Sequence, residues 1–537
     1  MSPFAALARR FGLVAPLPRV RTEREIAERA FDAAYYLEVN TDVAAAGDDP
    51  LEHFLAFGWQ EGRRPIPDFS PRDYLLAFPE AADSGVNPFV HWLTSGRPGV
   101  FVPEPPEGFR AELLARLTSV EDRIAAATGA AIPLAPPGDL APALGQARGG
   151  LRDVHVTVSH DDFTAHVGGL QTAVRREAER LARDGRDHLH LYPAEAWPVV
   201  REPGDPGALG VVLNGRGLGF HAAATVADAL ARAASGPAGR RSLAVHSLLG
   251  HAADEIADIA AALGLAEGVF WLHDFASLCA GFHLLRNDVA DCAAPPPGSA
   301  ACGICVYGAW RARHLEQHAR LFERLALTVA APSKATLELW RSRTGLPAAA
   351  EAVLPHATLV PKGPAPVPRG RRPFRLAYAG LPVAHKGWPV FTALAARLAR
   401  DPRYELVHLG VRRDPDLPVR FREVAAGPSR PLAMRDALAE EAADAVLVWP
   451  LCRETFSFVA YEAVAAGCAV ITGPDSGNVQ AFVREGGHGR VLEDEDALAQ
   501  AFLGGDILDL ARAARRPMLY DLAFSALSLD LPTRPAA

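Results

Sequence analysis

The sequence predicts an α/β protein: two doubly wound, parallel-sheet domains facing each other across a cleft, preceded by a small helical repeat domain. Three observations carry this prediction. Short apolar runs alternate with helical segments from Val154 onward, a proline-rich stretch at 361–373 divides that alternation into two series, and the segment before it repeats itself at an offset of 38 residues.

At 537 residues the chain exceeds what one hydrophobic core organises, and roughly 150 residues per domain gives about three to four units. A hydrophobic fraction of 49%, a charged fraction of 22% and a mean hydropathy near zero fit a globular protein that folds. The net charge of −8 provides no basic field for a phosphate backbone, which excludes nucleic acid as an expected partner. No apolar run reaches the roughly eighteen residues of a membrane span, and the opening residues lack a signal-peptide core, so a cytoplasmic location is expected. Phe4, Leu7 and Phe11 fall at helical spacing beside arginines, the pattern of a peripheral contact with the inner face of a membrane.

The N-terminal segment, 1–30, leads into the repeat domain, 31–99. Phe31, Tyr36, Leu37, Pro50, His53 and Gly58, shifted by 38, fall on Phe69, Tyr74, Leu75, Pro88, His91 and Gly96. Each copy reads as two short helices around an Asp-Pro or Asn-Pro turn, with His53 and His91 as satisfied core histidines. A helix is expected over 107–128, where Phe109, Leu113, Leu117, Val120 and Ile124 form one apolar stripe. Residues 129–150, rich in Pro, Ala and Gly, read as a linker. The first α/β domain then spans 151–360, a linker 361–373, the second α/β domain 374–510 and a C-terminal tail 511–537. In such folds ligands bind at the carboxyl ends of the strands.

The second domain carries the most specific chemistry. Glu454-Thr-Phe-Ser-Phe-Val-Ala-Tyr-Glu462 follows the strand-like DAVLVWP, so two acids stand eight positions apart. If the helix begins at Ser457, Glu462 lies in it and Glu454 in the preceding loop. The amides of Thr455, Phe456 and Ser457 are then unpaired donors at its N-terminus. Such an end holds hydroxyls or phosphate oxygens, and a carboxylate can fork two sugar hydroxyls. On geometry alone a surface acid and a capping acid fit as well. Upstream, Lys386-Gly387 lies between a strand and a helix, where an ammonium can reach a diphosphate. The chain has only three lysines, Lys334, Lys362 and Lys386, among its 55 basic residues.

The run from Glu454 to Glu462, continued by Glu-Ala-Val-Ala-Ala-Gly and by residues 473–494, resembles the Glu-x7-Glu motif of retaining GT-B glycosyltransferases, whose fold is two Rossmann-like domains facing across a cleft. The repeats resemble those appended to bacterial surface-polysaccharide glycosyltransferases. The resemblance implies that Glu454 contacts the transferred sugar, Glu462 the ribose of a nucleotide-sugar donor and Lys386 its diphosphate. It also implies that no cofactor is required for catalysis and that the acceptor is a glycan or a lipid-linked glycan. The family often places an arginine shortly after the strand that precedes the lysine; Leu381 and Pro382 stand there instead, which leaves a second cation unassigned.

In the first domain, Gly168 and Gly169 precede a helix after the first strand, where backbone can approach a phosphate; the position also resembles the glycine loop of these transferases. His273 ends the run GVFWLHDF at the carboxyl edge, so a catalytic or sugar-binding role stands beside a packing role; His246 is the weaker candidate. Cys279, Cys292, Cys302 and Cys305 cluster in one loop-rich segment closed by a Cys-Gly-Ile-Cys pair. A structural zinc, free thiols and a disulfide are the alternatives, with zinc favoured by the spacing. Three functional classes follow: a glycosyltransferase, a GT-B-shaped sugar-nucleotide epimerase, and a non-catalytic carbohydrate-binding module.

Overall fold

A computed structural model of the chain describes residues 18–95 apart from 68, 79, 80 and 83, then 108–234, 239–366, 372–414, 417, 419–427 and 430–531. The expected membrane contact at Phe4, Leu7 and Phe11 and the repeat partner Gly96 lie outside the described residues.

The repeat offset is visible in side-chain detail. The Tyr36 hydroxyl meets His53 Nδ1 at 3.0 Å, and 38 residues on Tyr74 meets His91 Nδ1 at 2.7 Å. Asp49 and Asn87, also 38 apart, each cap the helix that opens with Pro50 or Pro88. A Cβ on Gly58 would lie 2.1 Å from the Tyr36 hydroxyl, so the glycine is there to admit the tyrosine. The two copies share one aromatic core of Tyr36, Phe54, Phe69, Tyr74 and Phe89, each fully buried.

The first α/β domain contains β1 (Val154–Val158), β2 (Asp187–Pro193), β3 (Leu209–Leu213), β4 (Arg216–His221), β5 (Ser242–Val245), β6 (Glu267–Trp271), a two-residue hairpin β7–β8 (Leu285–Arg286 and Ala290–Asp291), β9 (Ala326–Ala331) and β10 (Ala350–Val353). Eight of these form a sheet in the order β10-β9-β6-β5-β1-β2-β3-β4. The expected all-parallel sheet is corrected at one edge, where β3 and β4 run antiparallel. Asn214 and Gly215 between them both have positive φ, 52° and 82°, the requirement of a two-residue hairpin turn.

Beyond β11 (Ala357–Pro364), the second domain has β12 (Phe374–Ala379), β13 (Tyr404–Gly410), β14 (Arg420–Glu423), β15 (Ala445–Leu447), β16 (Ala469–Thr472) and β17 (Gly489–Val491), all parallel in the order β14-β13-β12-β15-β16-β17. Strands buried on both faces read as continuous apolar runs, as LAYA and AVIT do. Two hydrophobic clusters, one around Phe391 and Phe502 and one around Leu438 and Val470, cover the two faces.

Four further expectations are corrected. The helix over 107–128 is two, Gly108–Ala115 and Val120–Thr128, because Ser119 accepts from Asp122 N and starts a new helix, a cap worth about 1 kcal/mol. Their apolar residues serve different cores: Phe109 and Leu113 pack on the second domain, Val120 and Ile124 on Trp197 and Tyr307. The linker 129–150 holds the helix Leu140–Leu144, whose Leu140 and Leu144 are buried in the first-domain core. The linker 361–373 begins inside β11, and the tail contains β18 (Met518–Phe524), which pairs antiparallel with it. Half-exposed on alternating positions, this ribbon lies outside both main sheets.

Candidate functional site

The carboxyl ends of the two sheets meet. The Thr455 hydroxyl, in the loop after β15, donates to the carbonyl of His273, after β6, at 2.8 Å, and the Thr336 hydroxyl donates to the Thr455 carbonyl at 3.2 Å. Phe458 packs beside Gly169, bringing the glycine loop onto the same edge.

Two glycines hold the acid and the cation of the second domain together. Gly387 has φ of +85°, and a Cβ there would lie 1.9 Å from the Trp449 carbonyl; Gly477 has φ of +61°, and its Cβ would lie 2.6 Å from the Glu454 carbonyl. Only glycine permits both close approaches. Between them Lys386 Nζ donates to Glu454 Oε1 at 2.6 Å. Burial works against the ammonium, but the Glu454 carboxylate outweighs it and raises the Lys386 pKa.

The helix carrying Glu462 begins at Phe458, one turn position later than the sequence expectation, with Ser457 as its cap accepting from Ala460 N. The corrected start moves the free helix-end amides beyond Thr455 and Phe456. Thr455 is engaged across the domains as above, and the Phe456 ring is buried against Tyr461 at 4.4 Å and His356 at 5.0 Å. The Glu462 carboxylate has no hydrogen bond or ion pair among the described residues, and burial pushes it up to about 8, against the pull of Arg435. Beside the loop where Leu381 and Pro382 replace an arginine, Arg412 donates to the Pro382 carbonyl at 3.4 Å. A guanidinium from the next strand end therefore stands where the loop itself has none.

His273 is partly exposed, but both its ring nitrogens are engaged: Nε2 with His246 Nδ1 at 2.8 Å and Nδ1 with His356 Nε2 at 3.2 Å. His246 Nε2 in turn meets the buried carboxylate of Glu177 at 2.9 Å. Sequence reasoning missed Glu177 and His356 and ranked His246 too low. One signal was available, since Glu177 shares the buried face of its helix with Ala173, Val174 and Leu181. A carboxylate on an apolar face is rare unless it has partners.

Cys279, Cys292, Cys302 and Cys305 line one void of about 20 Å³ together with Arg311, whose Nη1 lies 3.2 Å from Cys302 Sγ. All four are free thiols in the structure. Burial raises the Cys279 thiol to about 11 and raises Cys292 also. Among the described residues no three His, Cys, Asp or Glu side chains are arranged as a metal-binding group. As they stand, the thiols share a void without converging on one point.

Residues 373–504 match the family model of group 1 glycosyl transferases. The match covers the second domain almost from end to end. Lys386, Glu454 and Glu462 all lie within the matched residues, and the chain has two Rossmann-like domains whose sheets meet at their carboxyl ends. A search of curated proteins returns no match. Distant structural likenesses include sucrose-phosphate synthase from Thermosynechococcus elongatus, at 17% identity and a TM-score of 0.42 over 68% of this chain and 92% of that one. Anabaena HepE in complex with UDP-glucose follows at 12% identity, TM-score 0.38, over 68% and 93%. WaaG, a glycosyltransferase involved in lipopolysaccharide biosynthesis, has 12% identity and a TM-score of 0.36 over 67% and 94%. Among the described residues no helix is long and apolar enough to cross a membrane.

Proposed function

We propose that this protein is a glycosyltransferase that moves a sugar from a nucleotide-sugar donor in the cleft to a glycan or lipid-linked acceptor, with retention of anomeric configuration, in the synthesis of a bacterial surface polysaccharide. The observation that carries the reading is the Lys386–Glu454 pair, with the partnerless Glu462 eight residues further on. Glu462 takes the ribose hydroxyls, Glu454 the transferred sugar, and Lys386 the charge that develops on the leaving diphosphate. Retention rests on the resemblance of this run to the Glu-x7-Glu motif. In that scheme the acceptor proton passes to a donor phosphate oxygen and no metal takes part.

We place the reaction in the cytoplasm, at the inner face of the membrane, with the repeats recruiting the acceptor. The spacing of the four cysteines and their shared lining of one void are the grounds for a structural zinc outside the chemistry, with Arg311 as a buried cation beside the thiols, while the side chains as placed form no metal-binding group. Incubating the purified protein with a panel of sugar nucleotides tests the function. Free nucleotide supports transfer, an epimerised sugar supports an epimerase, and binding without conversion supports a carbohydrate-binding module.

A further inference from the structure

Four side chains from separate parts of the chain form one hydrogen-bonded row: Glu177, His246, His273 and His356, linked at 2.9, 2.8 and 3.2 Å. Glu177 lies on the helix Gly169–Arg183, His246 just beyond β5, His273 just beyond β6 and His356 at the crossover before β11. The other oxygen of Glu177, Oε1, accepts from Ser528 N at 2.8 Å, and Ser528 Oγ accepts from Trp271 Nε1 at 2.8 Å. Trp271 stacks on both His246 and His273. His356 Nδ1 is buried with no partner.

The direction of every hydrogen bond in the row follows from its first member. Burial opposes ionisation of Glu177, but His246 and His155 outweigh it and hold the carboxyl well below its ordinary range. A carboxylate only accepts, so His246 Nε2 carries a hydrogen, and in the neutral ring, the state taken for all three imidazoles at pH 7.5, its Nδ1 is then a lone pair. His273 must then donate from Nε2, leaving a lone pair on Nδ1, which accepts from His356 Nε2. The last nitrogen, His356 Nδ1, is a bare acceptor, which agrees with its lack of a partner. One added proton reverses the row: His246 donates to His273, and His273 Nδ1 becomes a donor.

We propose that Glu177 is a positioning residue that sets, through His246, which ring nitrogen of the cleft-edge His273 carries the hydrogen. Glu177 itself touches no substrate. Its carboxylate keeps His273 Nδ1 a lone pair, able to accept from a sugar hydroxyl once His356 gives way. Other titratable groups facing the row are His155 on β1, whose Nε2 lies 3.6 Å from Glu177, His188 and His190 on β2, His160 in the loop after β1, and Asp274. Asp274 accepts from Ser247 Oγ and Ala276 N and is thereby held apart from the row.

Glu177→Gln separates this role from packing. Ser528 N still donates to the amide oxygen, so the amide nitrogen faces His246 Nε2 and donates to it. That reverses the row without any added proton. In ¹⁵N-histidine spectra at pH 7.5, His273 should be the Nε2–H tautomer in the wild type and the Nδ1–H tautomer in Glu177→Gln, with Glu177→Asp keeping the wild-type form. The same tautomer in wild type and Glu177→Gln would overturn the proposal. The consequence for turnover rests on the sugar-transfer reading: kcat in Glu177→Gln should fall about 10- to 100-fold with donor KM little changed. If neither protein transfers sugar but the tautomer reverses, the transfer reading fails and the positioning inference stands.

Discussion

Lys386 Nζ donates to Glu454 Oε1 at 2.6 Å, so the cation proposed for the leaving diphosphate and the acid proposed for the transferred sugar neutralise each other. A donor that takes both must replace one strong contact with two, its phosphate on the ammonium and its sugar hydroxyls on the carboxylate. Lys386→Ala is therefore expected to lower turnover by roughly ten- to a thousand-fold, since the contact strengthens as charge develops on the diphosphate. Release of free nucleotide under saturating donor measures it, and a wild-type rate would leave Lys386 a solvated lysine.

Glu462 yields a prediction with two signs. Its carboxyl is pushed up to about 8, from an ordinary value of 4.5, so its contribution to stability is fully present below about pH 4.5 and lost as the pH rises through 8. Glu462→Gln should raise Tm at pH 8 to 9 and leave it unchanged near pH 4. It should also weaken nucleotide binding, because the ionised form accepts from two ribose hydroxyls and the amide cannot. In the wild type, donor affinity should increase with pH up to about 8, with proton release visible by calorimetry in buffers of different ionisation enthalpy. Unchanged donor affinity in Glu462→Gln would sink the ribose assignment.

The repeats were expected to be separable by a cut near residue 150, and the structure moves that cut to residue 108. Leu140 and Leu144 are buried in the first-domain core and Leu113 packs on the second, while Arg110 pairs with Glu495 at 2.7 Å. Losing Leu140 and Leu144 alone costs about 3–6 kcal/mol, comparable with a whole domain's stability. A chain starting at 108 should keep donor binding and most of its Tm, losing the Trp92 contact with Arg400, whereas one starting at 150 should lose both. Thermal melts with and without donor decide this; loss of donor binding on cutting at 108 would make the repeats a buttress of the fold.

For the four cysteines the expected outcome is about one zinc per chain in protein purified without added metal. A molar ratio near zero, with four titratable thiols, would reject the site.

The second domain was legible because its chemistry is local in sequence. Glu454, Glu462 and the helix between them fall within nine residues, and a strand-loop-helix pattern places them without knowledge of any distant contact. The row behind His273 was not, because it draws on residues 177, 246, 273, 356 and 528, and no window of sequence contains two of them with a recognisable spacing. The antiparallel edge of the first sheet could have been read: Asn214-Gly215 between two apolar runs is a hairpin signal. The break at Ser119 was hidden for the opposite reason, since two helices on different cores happened to continue one helical period across their joint.

The contact between Ser528 and Glu177 also has an order in time. During synthesis the first domain emerges with its central carboxylate lacking one of its donors, and that donor is made 351 residues later. At roughly 5–20 residues per second this is an interval of about 18–70 s. Throughout it, strands β1 to β10 can assemble, but Glu177 has no amide on Oε1 and β11 has no β18. A chain ending just before Ser528 would hold every strand from β1 to β18 and still lack the amide that donates to Glu177 Oε1.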